Sequence, residues 1–357
     1  MNKNKERKMN KLLKVGFLAG FAALGFAAPP ALAEEMVFVS WGGAYQDAIR
    51  AAWLDPFKAE TGISVLEETG PETAKIKAMV ETDTVSWDIV TDGGLGVARG
   101  ALEGLFEEIT TDMVDQSHVY PEIVNKYGVP SEIFSTNFAF STTAFPDGGP
   151  QPASWTDFWD TEKFPGKRAM YGSPNSVLES ALMADGVAAA DVYGILATSE
   201  GQDRAFAKIE ALKPHIAVWW TKGAQPVQLL GSGEVVMSNG WNGRIEAGIK
   251  EGLPIKAVWS GAVAEVGYFM LVKGAKNRDT AVKFLNYAVS PKAQAEFHKY
   301  VSYGPVTPGA WDFIPKEDWS RLPSSPENLA QSLFLNVDWW LANEPAMIER
   351  YNTLMQQ

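Results

Sequence analysis

Short apolar strand segments alternate with amphipathic helical segments, and this alternation restricts the fold more than any other feature of the sequence. Residues 36–39, 63–67 and 87–91 have the character of strands, and residues 46–60 and 73–81 between them follow a helical period. Strands that are joined through a helix run parallel, so the pattern predicts an α/β protein with a largely parallel sheet. In such sheets ligands bind at the carboxyl ends of the strands.

Polar and aromatic side chains gather at four predicted strand-to-helix turns, residues 40–45, 92–94, 172–176 and 238–244. Free backbone N–H groups and the helix dipole at such turns favour polar or anionic parts of a ligand. The last turn carries Trp241 as a flat apolar wall and Arg244 as a fork of five donors. It is suited to gripping a small polar molecule. Alternatively, Trp241 belongs to the core and Arg244 is merely solvated.

The first 33 residues have the organisation of a secretory signal. Six cations within the first 14 residues precede the apolar run 15–28, and Ala31-Leu32-Ala33 completes a cleavage site. A membrane anchor is the alternative, but the run is shorter than the roughly 20 residues that span a bilayer. Without a cysteine after the signal, a lipid anchor is not expected. The mature protein is therefore expected in the periplasm after cleavage near Ala33.

The mature chain is strongly acidic. Removing residues 1–33 leaves 25 basic and 42 acidic residues, a net charge of −17. Nucleic acid and anionic lipid are poor partners for such a surface. The chain has no cysteine, which excludes disulfides, thiolate catalysis and cysteine-based metal sites.

Motifs of catalysis or cofactor binding are missing from the sequence. Its three histidines lack the spacing of a zinc site, and neither a G-x-S-x-G nor a P-loop motif is present. The glycines of residues 94–100 follow G-x-G-x-x-x-G, one residue away from the dinucleotide fingerprint. No metal or cofactor is expected, and no catalytic residue is assigned. Paired carboxylates keep a secreted hydrolase or lyase as the alternative class.

The chain is long enough for two domains. Two extended segments, residues 137–141 and 265–272, are predicted to cross between them. Towards the C terminus, residues 329–335 and 338–355 have apolar patterns typical of helices.

The order of these elements resembles the periplasmic solute-binding proteins of bacterial ABC importers, in particular the spermidine/putrescine-binding branch. The resemblance covers nearly the whole mature chain. It is carried by residues 233–243, Gly252-Leu253-Pro254-Ile255, Ala275-Lys276-Asn277-Arg278, Leu285-Asn286, Ser290-Pro291, the turn from Trp41 to Tyr45, and Trp87-Asp88-Ile89-Val90.

This resemblance implies the type II two-lobe periplasmic binding-protein fold, an α/β architecture with two crossing segments and a ligand cleft between the lobes. The first lobe is expected to comprise residues 34–140 and 266–307, and the second residues 141–265 and 308–357. The resemblance also implies a membrane permease of an ABC importer as partner. We expect a monomer.

The site departs from the polyamine-binding branch, whose members enclose a methylene chain with aromatic rings and hold its ammonium groups with carboxylates. Trp41, Tyr45 and Trp241 are similar to those aromatic residues. The acids correspond poorly, and Arg244 stands where the branch tends to have a small residue. Ser173, Ser176 and Gly267 occupy positions where acids would fall, Glu265 lies two residues before Gly267, and Trp340 falls at a C-terminal polar contact.

These departures favour a zwitterion. A buried dication requires roughly two carboxylates, because an unpaired buried charge costs several kcal/mol. The chain offers Glu265 and Asp92, but adds Arg244, which repels a polyamine and forms a fork with a carboxylate. We therefore expect a small amine or a γ-amino acid such as 4-aminobutyrate. The predicted ligand-binding residues are Trp41, Tyr45, Asp92, Gly93, Ser173, Ser176, Trp241, Arg244, Glu265 and Tyr303.

In this hypothesis Arg244 and the turn from Ser173 to Ser176 bind the acid end, and Glu265 or Asp92 binds the ammonium. Trp41 and Trp241 cover the chain between them, which requires that both indoles face one hollow. Alternatively, Glu265 and Arg244 pair with each other in the empty cleft. Within the same fold, a putrescine or spermidine binder is the second alternative, and a ferric-ion or thiamine binder the third.

Overall fold

The computed structural model describes residues 34–356 of the chain. The signal sequence predicted over residues 1–33 lies outside the described residues, as does Gln357 at the end of the second predicted lobe. Between residues 34 and 356, none of the helices combines the length and the apolar character that a membrane crossing requires.

The described residues contain nine strands in one mixed sheet. The strands are β1 (Glu35–Ser40), β2 (Ser64–Thr69), β3 (Ile89–Gly93), β4 (Val129–Ser141), β5 (Arg168–Tyr171), β6 (Ile216–Trp220), β7 (Met237–Trp241), β8 (Ile255–Leu271) and β9 (Leu333–Phe334). Their order across the sheet is β2-β1-β3-β8-β4-β7-β5-β6, and β9 pairs with β8.

Helices separate most of the strands, as the alternation predicts. The α-helices are α1 (Gly43–Ile49), α2 (Asp55–Thr61), α3 (Thr73–Glu81), α4 (Gly94–Leu102), α5 (Trp155–Trp159), α6 (Val177–Ala184), α7 (Val192–Leu196), α8 (Ser199–Leu212), α9 (Gln225–Ser232), α10 (Asn242–Lys250), α11 (Arg278–Ala288), α12 (Pro291–Phe297), α13 (Pro326–Ala330) and α14 (Val337–Gln356). A π-helical turn, Arg50–Leu54, joins α1 to α2, and short 3-10 helices occupy Pro121–Ile123, Ala189–Asp191, Lys213–His215, Pro308–Asp312 and Lys316–Arg321.

The two longest strands are the crossing segments. β4 and β8 pair antiparallel from Ser141 opposite Ile255 to Val129 opposite Phe269, and therefore run side by side through the middle of the sheet. Parallel pairing, expected for most of the sheet, holds for β1 with β2 and β3 and for β5 with β6 and β7. It does not hold around the crossings, because chains that pass between two domains in opposite directions pair antiparallel.

Two large apolar cores lie at opposite ends of the crossing strands. The first contains Phe38, Trp53 and Phe269, and the second contains Phe138 and Phe158. Each such side chain contributes about 1.5–3 kcal/mol when it is fully buried, so each core can hold its own set of elements together. We call the elements around the first core the first lobe and those around the second core the second lobe.

The lobe boundaries predicted from the sequence remain a prediction, and the packing after residue 307 bears on them. Ala310, Ile314 and Leu322 form a small apolar cluster with Ala295 of α12. By contrast, α14 belongs to the second core, which it enters through Trp340 and Tyr351, among others.

One predicted helix is absent from its expected place. The apolar pattern of residues 329–335 predicts a helix, but α13 ends at Ala330 and Leu333–Phe334 forms β9. β9 pairs parallel with β8 at Val263 and Ala264, so these apolar side chains complete a sheet edge. The helix predicted at 338–355 is confirmed as α14.

Candidate functional site

A cavity of about 560 Å³ lies between the two lobes. Nine of the ten residues predicted to bind a ligand line it: Trp41, Tyr45, Asp92, Gly93, Ser173, Trp241, Arg244, Glu265 and Tyr303. Trp41 and Trp241 therefore face one hollow, as the ligand hypothesis requires. The tenth, Ser176, is not among the lining residues; it is buried at the N terminus of α6 with a φ of 65°.

The floor of the cavity is formed by the crossing strands themselves. Glu132 and Phe134 of β4 lie opposite Gly267 and Glu265 of β8 in the strand register, and all four residues line the cavity. Residues two apart on a strand point to the same face, so these positions form one surface. We call these four residues the floor.

Gly267 lets the carboxylate of Glu132 reach its place on the floor. A Cβ atom at position 267 would lie only 2.2 Å from Oε1 of Glu132. The same Oε1 accepts a hydrogen bond of 2.7 Å from the hydroxyl of Tyr45, and the side chain of Glu132 is buried. An acid is thus present beside position 267, but it comes from β4 instead of β8.

Three carboxyl groups in the cavity have raised pKa values, each chiefly because of burial. The pKa of Glu265 is raised to about 8, with the charges of Glu179 and Asp92 adding to the effect of burial. The pKa of Glu132 is raised to about 7, and that of Asp92 to about 6. Burial disfavours the charged forms of these groups, and an ammonium group bound beside them would favour those charged forms.

Asp92 sits against the N-terminal turn of α4. Its Oδ1 accepts a hydrogen bond of 2.8 Å from the backbone N–H of Gly93. A Cβ atom at Gly96 would overlap the carboxyl of Asp92, so any larger residue there would force Asp92 to move. This glycine therefore makes room for an acidic side chain, and the glycine pattern needs no nucleotide to explain it.

Stacked aromatic rings form the second-lobe wall, which consists of Tyr171, Ser173, Trp241 and Arg244. Tyr171 stacks on Trp220 with ring centroids 4.4 Å apart, and Trp241 meets both rings edge-on. Oδ1 of buried Asn239 accepts hydrogen bonds from the backbone N–H of Tyr171 and from the Trp220 indole. These contacts fix the Trp241 ring before any ligand arrives.

The first lobe contributes a second aromatic group. Tyr45 and Tyr303 are buried with ring centroids 6.1 Å apart, and Phe134 of the floor lies 5.8 Å from Tyr303. Trp41 follows β1 directly and is 54% exposed, so its indole is free to cover a ligand.

Arg244 is a cation without an acidic partner. No carboxylate of the residues from 34 to 356 lies within 4 Å of its guanidinium, so the expected alternative pair with Glu265 is not formed. Its Nη atoms lie 3.9 Å from the Cβ position of Gly43, a first-lobe residue. The guanidinium therefore reaches from α10 across the cavity towards the first lobe.

The other charged groups around the cavity differ from Arg244 in exposure or pairing. Arg99 of α4 forms an ion pair of 3.2 Å with Glu344 of α14, and this pair joins the two lobes at the rim. Lys222 is exposed. Trp340, expected near the ligand, is instead buried and donates a hydrogen bond to Glu179.

Sequence reasoning missed several lining residues, among them Glu132, Phe134 and Tyr171. Asn175, Leu95 and the pair Arg99–Glu344 also line the cavity. Tyr171 ends a strand next to the predicted turn 172–176, which was a usable signal. Glu132 and Phe134 are visible only once β4 is aligned with β8. No cluster of histidine, aspartate and glutamate suited to a metal ion occurs within residues 34–356.

Comparison with known proteins identifies relatives along most of the chain. The family model described as bacterial extracellular solute-binding protein matches residues 52–327. A gamma-aminobutyric acid-binding protein of Pseudomonas aeruginosa is 39% identical over 91% of this chain and 92% of its own length.

A spermidine/putrescine-binding periplasmic protein of Salmonella typhimurium is 24% identical, over 80% of this chain and 81% of its own. Among solved structures, an ABC transporter substrate-binding protein from Bradyrhizobium japonicum superposes with a TM-score of 0.84 at 38% identity. That superposition covers 90% of this chain and 100% of the other.

Proposed function

We propose, from the premise that the chain belongs to the bacterial extracellular solute-binding proteins, that its cavity binds gamma-aminobutyric acid or a close ω-amino acid. The carboxylate of the ligand binds Arg244, assisted by the polar turn at Ser173. The ammonium binds among the acids of the cavity, with Glu265 or Asp92 as its partner. Trp41 and Trp241 cover the methylene chain.

The observation that carries this proposal is the unpaired guanidinium of Arg244 in the same cavity as three carboxyl groups whose pKa values are raised by desolvation. A guanidinium in a partly closed cleft favours a carboxylate through two parallel hydrogen bonds. A buried carboxylate favours an ammonium for the same electrostatic reason. A ligand with one group of each kind, a few methylenes apart, satisfies both. The similarity to a gamma-aminobutyric acid-binding protein supports this choice.

A putrescine or spermidine ligand is the second candidate, supported by the three carboxyl groups and by the more distant polyamine-binding relatives. Arg244 weighs against it, because a second ammonium group would lie in the same cleft as an unpaired guanidinium.

Calorimetry on the purified mature protein tests the choice directly. The titrants are gamma-aminobutyric acid, butyrate, butylamine and putrescine, which present both charges, the anion alone, the cation alone and two cations. We expect tight binding of the first and at least 100-fold weaker binding of butyrate and butylamine. Tight putrescine binding without a response to gamma-aminobutyric acid would overturn the proposal in favour of the polyamine alternative.

We further propose that the protein acts as a monomer in the periplasm, after cleavage near Ala33, and delivers its ligand to the permease of an ABC importer. Closure of the lobes about β4 and β8 would present the complex to that permease. The secreted hydrolase or lyase remains the alternative of another class, and incubation with gamma-aminobutyric acid followed by product analysis separates the two. Recovery of unchanged ligand is the expected result.

A further inference from the structure

We propose that Glu132 is the residue that binds the ammonium group of the ligand, with Glu265 of the neighbouring strand as its partner. The assignment rests on the proposed function and moves the ammonium from Asp92, beside α4, to the floor. It also assigns a role to Gly267, which makes the position of Glu132 possible.

The carboxylate of Glu132 is held in place and incompletely satisfied. Its side chain is 3% exposed, and Oε1 is fixed by the hydroxyl of Tyr45 at 2.7 Å. Oε2 is buried without a hydrogen bond of normal geometry among residues 34–356, and the nearby hydroxyl of Ser131, also buried and without such a partner, lowers the pKa of Glu132 only in part. A buried carboxylate oxygen without a partner is costly, so an unmet acceptor at the surface of a ligand cavity indicates that the ligand supplies the donor.

In the antiparallel pair, Glu132 of β4 lies opposite Gly267 of β8. Glu265 precedes Gly267 by two residues and lies opposite Phe134, so Glu265 and Glu132 are diagonal neighbours. Diagonal Cβ atoms on adjacent strands are about 7–8 Å apart. The Glu265 carboxyl now lies towards Gly93 and feels the charges of Glu179 and Asp92, so it must turn towards Glu132 to share the ammonium. A primary ammonium has three N–H donors, enough for both carboxyl groups.

The charge of this arrangement also balances. One ammonium neutralises one carboxylate, and the second carboxyl group keeps its proton because burial raises the pKa of both acids towards neutrality. The same pair would bind a quaternary ammonium poorly, because N-methyl groups cannot donate to either oxygen.

The absence of a side chain at Gly267 makes the position of the Glu132 carboxylate possible. Any side chain at position 267 would occupy the space of Oε1 of Glu132 and displace the carboxylate. The glycine at position 267 therefore leaves the Glu132 carboxylate in its present place beside the Tyr45 hydroxyl.

Isothermal titration of Glu132→Gln with gamma-aminobutyric acid tests the assignment. We expect at least a 30-fold loss of affinity. Glu246→Gln is the matched control, because Glu246 is also a buried acid with a pKa raised to about 7 but does not line the cavity. It should bind within about twofold of the wild type. Unchanged affinity in Glu132→Gln would overturn the assignment and leave the proposed function intact.

Gly267→Ala provides the second, independent measurement. It should weaken binding as strongly as Glu132→Gln, and the double variant should bind no worse than either single variant, because both changes remove the same carboxylate. If the affinity loss of the double variant instead equals the product of the two single losses, the assignment is contradicted, even if Glu132→Gln folds poorly. A wild-type protein that binds no primary amine at all would instead refute the proposed function itself.

Discussion

The floor of the cavity and its second-lobe wall are built from different kinds of segment and carry opposite charge. The floor consists of long strands that belong to both lobes, and its polar groups are the acids Glu132 and Glu265. The wall consists of strand ends and a helix start, and its charged group is Arg244. Neither region alone can satisfy a zwitterion. A ligand that contacts both connects the crossing strands to the second lobe, so under the proposed closure binding and closing would occur together.

The largest expected effect comes from removing the cation of the wall. Arg244→Gln should lower the affinity for gamma-aminobutyric acid roughly 100-fold, because a bidentate charged hydrogen bond is lost at a cost of about 2–3 kcal/mol. Calorimetry measures the change. Lys250→Gln removes the same charge from the exposed end of α10 and should bind as the wild type does. Equal affinities of the two variants would contradict the division of charge between wall and floor.

The second prediction is that an acid of the floor lowers the stability of the protein without a ligand. In the unfolded chain the Glu265 carboxyl ionises near pH 4.5, but in the folded chain only near pH 8. Between these values the unfolded chain releases a proton that the folded chain retains, so the folded state loses stability as the pH rises. Glu265→Gln should therefore raise the free energy of unfolding at pH 8 by up to about 4 kcal/mol, since one pKa unit corresponds to about 1.4 kcal/mol.

Urea unfolding at pH 5 and pH 8 measures that difference, which should shrink markedly in the variant. Glu327→Gln, at an exposed acid of α13, is the control and should leave the stability at both pH values unchanged. A variant less stable than the wild type at pH 8 would show that the floor acids do not oppose folding.

A third prediction concerns the pH dependence of binding. An ammonium favours the ionised form of the floor acids, so binding at pH 7 should release protons and the affinity should rise up to about tenfold between pH 6 and pH 8. Titrations in two buffers with different ionisation enthalpies count the protons. Proton uptake, or an affinity that falls with rising pH, would place the ammonium away from these acids.

The smallest effect is expected at the rim, where Arg99 and Glu344 join the lobes. Arg99 is 49% exposed, and such ion pairs contribute about 0–1 kcal/mol. Arg99→Gln should weaken ligand binding no more than about threefold, most clearly at low salt. A loss as large as that of Arg244→Gln would mean that Arg99, not Arg244, binds the carboxylate.

Much of the fold and part of the site could be predicted from the sequence, because the signals are local. The strand-to-helix turns indicated Trp41, Asp92, Ser173 and Trp241 as site residues. The extended stretches at 137–141 and 265–272 indicated the crossing segments. Relatives of known function then confirmed the family and the fold.

The missed features depend on pairings between distant segments. Glu132 matters because β4 places it opposite Gly267, 135 positions further along the chain, and no nearby pattern indicates that register. The ion pair Arg99–Glu344 likewise joins helices from different lobes. The helix wrongly predicted at 329–335 has the same explanation. Residues 333–334 pair with the free edge of β8 at Val263, and this distant pairing, not the local apolar pattern, determines their structure.

The exposed indole of Trp41 has a practical consequence. Of the 13 tryptophans, Trp53, Trp87, Trp220 and Trp340 are fully buried, so a ligand displaces no water from these four rings. Trp41 is the partner that a solute would cover, and its emission should shift to shorter wavelength as water leaves the ring. The protein thus carries an intrinsic optical reporter, and could serve as a reagentless sensor for whatever solute it carries.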